Sequence, residues 1–122
     1  MRLSRRAVAD VAVVFAGGLV GSAARSLVAE AASSATAVLL IVNLTGSFLL
    51  GVLVAWRLRV GRGARVIVNF AAIGVLGSFT TFSGFAVAVV TLPAATAFLL
   101  AVVSLAGGLV LVRLGLLVGG RA

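Results

Sequence analysis

Gly74-Val75-Leu76-Gly77-Ser78-Phe79-Thr80-Thr81-Phe82-Ser83-Gly84-Phe85 is an odd composition for a plain membrane helix. It sets glycines, a threonine pair and two spaced phenyl rings inside an otherwise apolar segment. Glycine, serine and threonine are poor helix formers, and hydroxyls compete for backbone partners, so an unwound turn is expected here. At membrane depth, broken backbone is tolerated only where protein buries it or where it lines a site. The stretch therefore predicts a membrane helix broken near its middle, placed on an ion or substrate pathway.

Composition around this stretch supports the membrane setting. Of 122 residues 63% are hydrophobic and only two are acidic, and the mean hydropathy is +1.36, which excludes a soluble domain with a polar surface. Four apolar runs, at about residues 7–26, 35–57, 66–91 and 94–118, each approach the ~20 residues that a spanning helix needs. Connections near 27–34, 57–65 and 91–93 are too short for a second domain, so an all-α, four-helix membrane domain over 1–122 is expected. Arg2, Arg5 and Arg6 ahead of an apolar run, with Ser22-Ala23-Ala24 after it, have the outline of a signal peptide. Asp10 interrupts that run, and Gly17, Gly18 and Gly21 read as helix-packing positions, so the first helix is expected to be retained. The chain has no cysteine and no histidine, hence no disulfide, thiolate site or imidazole base.

A net charge of +8 would suggest nucleic acid in a soluble protein. Here topology explains it better. If the four helices alternate, Arg2, Arg5, Arg6, Arg57, Arg59, Arg62, Arg65, Arg113 and Arg121 fall on one face, and Arg25 with Glu30 on the other. The positive-inside rule makes the first face cytoplasmic, so both termini are expected inside the cell membrane and no nucleic-acid role is expected. The few ionisable groups lie at the membrane ends with no nucleophile and base together, so an enzyme is not expected.

Individual polar residues carry two readings each. Asn43, near the middle of the second helix, shares a face with Gly46 and Ser47. It is either hydrogen-bonding glue between helices or a donor to a permeating ion. Phe82 and Phe85, three apart with Ser83 beside them, serve either packing or an ion path. Ser104 in the fourth helix could line a pathway or bond back to its own helix. Arg25 is a snorkelling interfacial residue or a positive charge that attracts anions.

Taken together, Gly17-Gly18 through Gly21 to Arg25, Asn43-Leu44-Thr45-Gly46-Ser47-Phe48 and Gly74 through Phe85 resemble the Fluc (CrcB) family of fluoride channels along nearly the whole chain. The resemblance implies an antiparallel dimer in the membrane, with two fluoride pathways at its interface and a central sodium ion at the break in the third helices. Carried across, Phe82 and Phe85 would be the phenyl rings beside fluoride, Asn43 a pore-lining amide and Ser83 a nearby hydroxyl. Ser104 would be the fourth-helix hydroxyl, and Arg25 would sit near the pore mouth. Gly77 and Thr80 would offer backbone carbonyls to sodium. Such a channel would export fluoride passively and so lower its toxicity. Gly84 stands where the family often has threonine, Ser78 replaces a frequent glycine, and the fourth helix has no tyrosine.

The arginine count bears on assembly. Nine on one face and one on the other should fix a single orientation, whereas an antiparallel homodimer needs both. The expected partner is therefore a homologue of opposite bias, with a homodimer as the alternative. A proton-coupled exporter of the small multidrug type would need a membrane-embedded carboxylate, and Asp10 and Glu30 both lie near helix ends. A non-transporting subunit of a heterodimeric channel is the remaining alternative.

Overall fold

A computed structural model describes residues 4–121, apart from the side chain of Arg62; Arg2 and that side chain lie outside the described residues. Four helical spans are long and apolar enough to cross a membrane: Arg5–Ala31, Ala35–Val60, Arg65–Thr91 and Ala94–Arg121. We label them α1 (Arg5–Ala31), α2 (Ala35–Val60), α3 (residues 65–79) and α4 (Phe82–Thr91), the two arms of the third span, and α5 (Ala94–Arg121). The chain is thus an all-helical, multi-pass membrane protein whose third span is interrupted, as its sequence predicts.

Helix ends follow local chemistry. Ser4 and Ser34 cap α1 and α2, their hydroxyls accepting from the N–H of Ala7 and Ala37. Gly61, the sole described residue with positive φ (75°), ends α2, and Arg57 donates to its carbonyl. The first two connections are shorter than the hydropathy suggests. The first helix runs to Ala31 rather than fading near residue 26, because Leu27–Ala31 contains no glycine or proline to stop it; the connection is residues 32–34. Likewise α2 continues through Arg57 and Arg59 to Val60, and a 3₁₀ turn over Gly61–Ala64 completes the link. Arginine is a good helix former, so charge ends the apolar run without ending the helix.

The helices pair through glycine. Where α1 crosses α3, a Cβ on Gly17 or Gly21 would strike the carbonyl of Phe70 or Val75, and one on Gly74 would lie 2.7 Å from Val14 O. Where α2 crosses α5, added Cβ atoms on Gly51, Gly115 and Gly119 would meet the carbonyls of Val112, Phe48 and Val52. Small residues let backbones touch in lipid, where apolar side chains gain little from being buried against protein. The most extensive contacts in the chain are those of these two pairs, α2 with α5 and α1 with α3. Large apolar side chains such as Phe15, Leu58, Val90 and Phe98 stay exposed, as lipid-facing positions should.

Asn69–Leu76 is a π-helix of two wide turns, directly before the break. Such wide turns are rare and cluster at functional sites. Its carbonyls at Phe70 and Val75 are the ones that Gly17 and Gly21 approach, so α1 packs against the widened wall. At the start of this arm, Asp10 of α1 pairs with Arg65 and accepts a 2.9 Å hydrogen bond from Asn69.

Candidate functional site

The break falls at Thr80 and Thr81, which are extended (ψ 163° and 113°) between two helical arms. A continuous helix would have Thr81 N–H donate to Gly77 O and Gly84 N–H to Thr80 O. Neither bond is made. Thr81 N–H donates instead to Oδ1 of Asn43 (2.9 Å), and Gly84 N–H to the hydroxyl of Thr81 (3.1 Å). Thr81 thereby caps α4, while Thr80 closes α3, its own N–H and hydroxyl both reaching Leu76 O. The carbonyls of Gly77 and Thr80 are thus released from the helical donors that would ordinarily occupy them.

Asn43 bridges α2 to this break. Its Nδ2 donates to Thr81 O at 3.1 Å while Oδ1 accepts from Thr81 N, so both ends of the amide face one peptide residue. The orientation of the amide follows, since a backbone N–H can only donate and a carbonyl only accept. Of the two readings of Asn43, the interhelical bond is what the structure displays. One turn on, Gly46 is buried beneath the Thr80 methyl, where a Cβ would not fit, and Ser47 donates back to Asn43 O at 2.8 Å.

The expected site residues do not share one place. Asn43, Gly77, Thr80 and Phe82 line one cavity of about 310 Å³, together with Gly46 and Ser47. Ser83 lies on the other side of α4, on an open cleft of about 810 Å³ that runs between the α1–α2 connection and α4. Its hydroxyl lies 3.3 Å from that of Thr81. The rings of Phe82 and Phe85 have centroids 6.0 Å apart, tilted by 40°, so they share a face as the spacing predicts. Phe82 is 81% exposed, as open as the lipid-facing Val90 and Leu58, and it stands beside the opened backbone.

Two expected residues are not brought to this cluster. Arg25 lines neither cavity and has no hydrogen bond or ion pair among the described residues. Ser104 also lines neither cavity; its hydroxyl is buried without a partner, so it does not bond back to its own helix. Thr81 was not singled out as a site residue, yet it organises the break through N–H, C=O and hydroxyl. The signal was present, since an amide at mid-helix and a threonine pair at a break each need partners, but only the fold tells which partners meet.

Four spans, a third helix opened by side-chain substitutes for its own hydrogen bonds, and a cavity at the opening to which Asn43, Ser47 and Thr80 bring polar groups define the class: a multi-pass membrane protein with a broken span. The family model described as CrcB-like protein, Camphor Resistance (CrcB), matches residues 12–116, and the chain belongs to that family. The chain is similar to the fluoride-specific ion channel FluC 1 of Rhodococcus jostii (strain RHA1), 48% identical over 111 residues, which is 91% of this chain and 86% of the relative. It is also similar to FluC 2 of Listeria monocytogenes serotype 4b (strain F2365), 38% identical over 86 residues and 67% of each chain.

Proposed function

We propose that this chain forms a fluoride-selective channel that lets the anion leave the cytoplasm passively. The relatives carry the name fluoride-specific ion channel, and one observation in this chain supports the reading most: the exposed Phe82 ring, paired with Phe85, stands at an opened stretch of helix. Fluoride is small and strongly hydrated, so a pore must replace its water shell without trapping it. A buried guanidinium would hold it too tightly. Phenyl edges carry partial positive charge and contact an anion weakly, and Asn43 and Ser83 add donors of moderate strength. Ser104 contributes a hydroxyl with no partner of its own, and Arg25 raises anion concentration at the mouth. Hydrogen fluoride enters cells uncharged and dissociates, so an anion leak driven by an inside-negative potential lowers the accumulated ion.

The reading includes a sodium ion at Gly77 and Thr80. Their carbonyls are hard oxygen donors, and the absence of helical N–H partners on them fits that role. Bound there, the ion would supply a fixed positive centre that holds the two arms at their angle. The reading also includes an antiparallel dimer, because Phe82 and the Ser83 cleft are open on this subunit and an ion path needs a second wall. Contacts of Asp10 with Arg65 and of Arg59 with Gly119 O (3.4 Å) bring the basic helix ends into two neighbouring pairs at one end of the bundle. With nine of ten arginines assigned to that end, taken as cytoplasmic with both termini, the partner is a homologue of opposite bias.

Fluoride release from liposomes, read by electrode with chloride as control, tests the proposal. Rapid fluoride release without chloride, by this chain alone or with its oppositely biased homologue, is the expected result. Silence from both preparations would overturn it in favour of a non-transporting subunit.

A further inference from the structure

We infer that Asn43 is a positioning residue: its carboxamide stands in for a peptide unit at the break, capturing the Thr81 N–H that would otherwise return to Gly77 O, and so sets where α4 and its phenyl pair begin. The inference deepens the proposed channel, since it rests on Phe82 and Phe85 bordering the ion path.

The two bonds between Asn43 and Thr81, 2.9 Å and 3.1 Å, exchange an N–H and a carbonyl in each direction. Two residues facing each other in an antiparallel ladder do the same with their backbones. Here a side chain does it from a helix, so a single strand-like residue is held inside a membrane without a sheet. The anchor behind it is firm, because neighbouring Val42 is fully buried and Gly46 is pressed against Thr80. Both arms of the amide are committed. One Nδ2 hydrogen is left for anything in the cavity, and turning the amide toward an ion would strand Thr81 N–H in an apolar surround. Simple closure of the helix is no remedy, since α4 is seated by Gly84, where an added Cβ would lie 2.8 Å from Leu39, and would have to slide bodily to restore the Gly77 bond.

Two substitutions of similar shape separate this role from that of a pore donor. Asn43→Leu removes both bonds; Asn43→Asp keeps an acceptor for Thr81 N–H and exchanges the N–H donor to Thr81 O for a carboxyl that donates only while protonated. Residue-resolved hydrogen exchange on the full chain should show the Thr81 amide about tenfold faster in Asn43→Leu, the ratio implied by one hydrogen bond. In Asn43→Asp it should stay near the wild-type rate, with Thr80, whose N–H is held by Leu76 O, unchanged in both variants. A 4-fluorophenylalanine placed at Phe82 should show a shifted ¹⁹F resonance in Asn43→Leu and a near-normal one in Asn43→Asp. Equal Thr81 exchange in wild type and Asn43→Leu, or an unmoved resonance in the leucine variant, would overturn the inference.

Should Asn43→Leu fail to fold, the wild type alone still decides. Its Thr81 amide should exchange about tenfold more slowly than those of Phe82 and Ser83, which as first-turn amides of α4 have no helical acceptor. Equal rates would overturn the inference. Absence of fluoride release by wild type with its partner would remove the channel reading and leave the exchange result standing, so the two failures are distinguishable.

Discussion

The two glycine seams and the junction between them are held by opposite means. Along α1 and α3, and again along α2 and α5, backbones touch because six glycines carry no side chain, and among the described residues no side-chain hydrogen bond crosses the middle of either seam. At the junction, α2 meets the broken third span through an amide, a threonine pair and one buried glycine. A seam of this kind depends on shape alone and resists any added atom. The junction depends on donors and acceptors, which is what permits a stretch of unwound chain to sit at membrane depth. Function is proposed at the second, and the first keeps it in place.

Substitutions grade that contrast. The largest effect is expected at a seam: Gly21→Val drives a branched side chain into the backbone of Val75, which cannot withdraw, and should cost about 3 kcal/mol or more. Loss of monodisperse protein in detergent, or a thermal midpoint lowered well beyond any other variant, is the readout; a normal melt would show that the seam accepts a side chain at Gly21. Gly46→Ala also meets an occupied position, but the obstacle is the Thr80 methyl, a side chain that can move. A cost of about 1–2 kcal/mol is expected, largely relieved in the double variant with Thr80→Ser, which removes that methyl. If the serine change gives no relief, the contact is not what makes Gly46 necessary.

Smaller effects are expected from the polar groups. Thr81→Val keeps the shape and removes the hydroxyl that accepts from Gly84 N–H, the cap of α4. It should cost about 1 kcal/mol, with faster hydrogen exchange confined to the first turn of α4. Smallest of all is Asp10→Asn, which weakens the pair with Arg65 but leaves an oxygen for Asn69. Because the Arg65 side chain is 64% exposed, less than about 1 kcal/mol is expected. A loss at Asp10 as large as at Gly21 would show that the α1–α3 seam depends on its polar end, and the contrast drawn above would have to be redrawn.

Much of this molecule is legible in its residues. Hydropathy alone marks four spans, since ~20 apolar residues have few other fates, and Gly-Ser-Phe-Thr-Thr marks the interruption because its residues are poor helix formers, although Gly77–Phe79 stay helical and only Thr80 and Thr81 open. The Phe82 and Phe85 pairing follows from a spacing of three on a helix that resumes. Helix ends are less legible: Arg57 and Arg59 look like the start of a loop, yet they continue α2. The π-helix over Asn69–Leu76 has no sequence mark, because nothing in those residues prefers a wide turn; packing against Gly17 and Gly21 accompanies it.

The residues alone specify a four-span, all-helical membrane protein of the CrcB family, broken in its third span, with its arginines gathered toward one end. These follow from local properties: apolar length, helix propensity and charge position. That Asn43 answers Thr81, that Thr80 rests on Gly46, that the Ser104 hydroxyl has no partner among the described residues and that Arg25 lines neither cavity at the break emerge once the helices are assembled. The physical reason is that a polar group in lipid must be satisfied by something, and local sequence states the need. Which group meets it, 38 residues away, depends on how two pairs of helices come together.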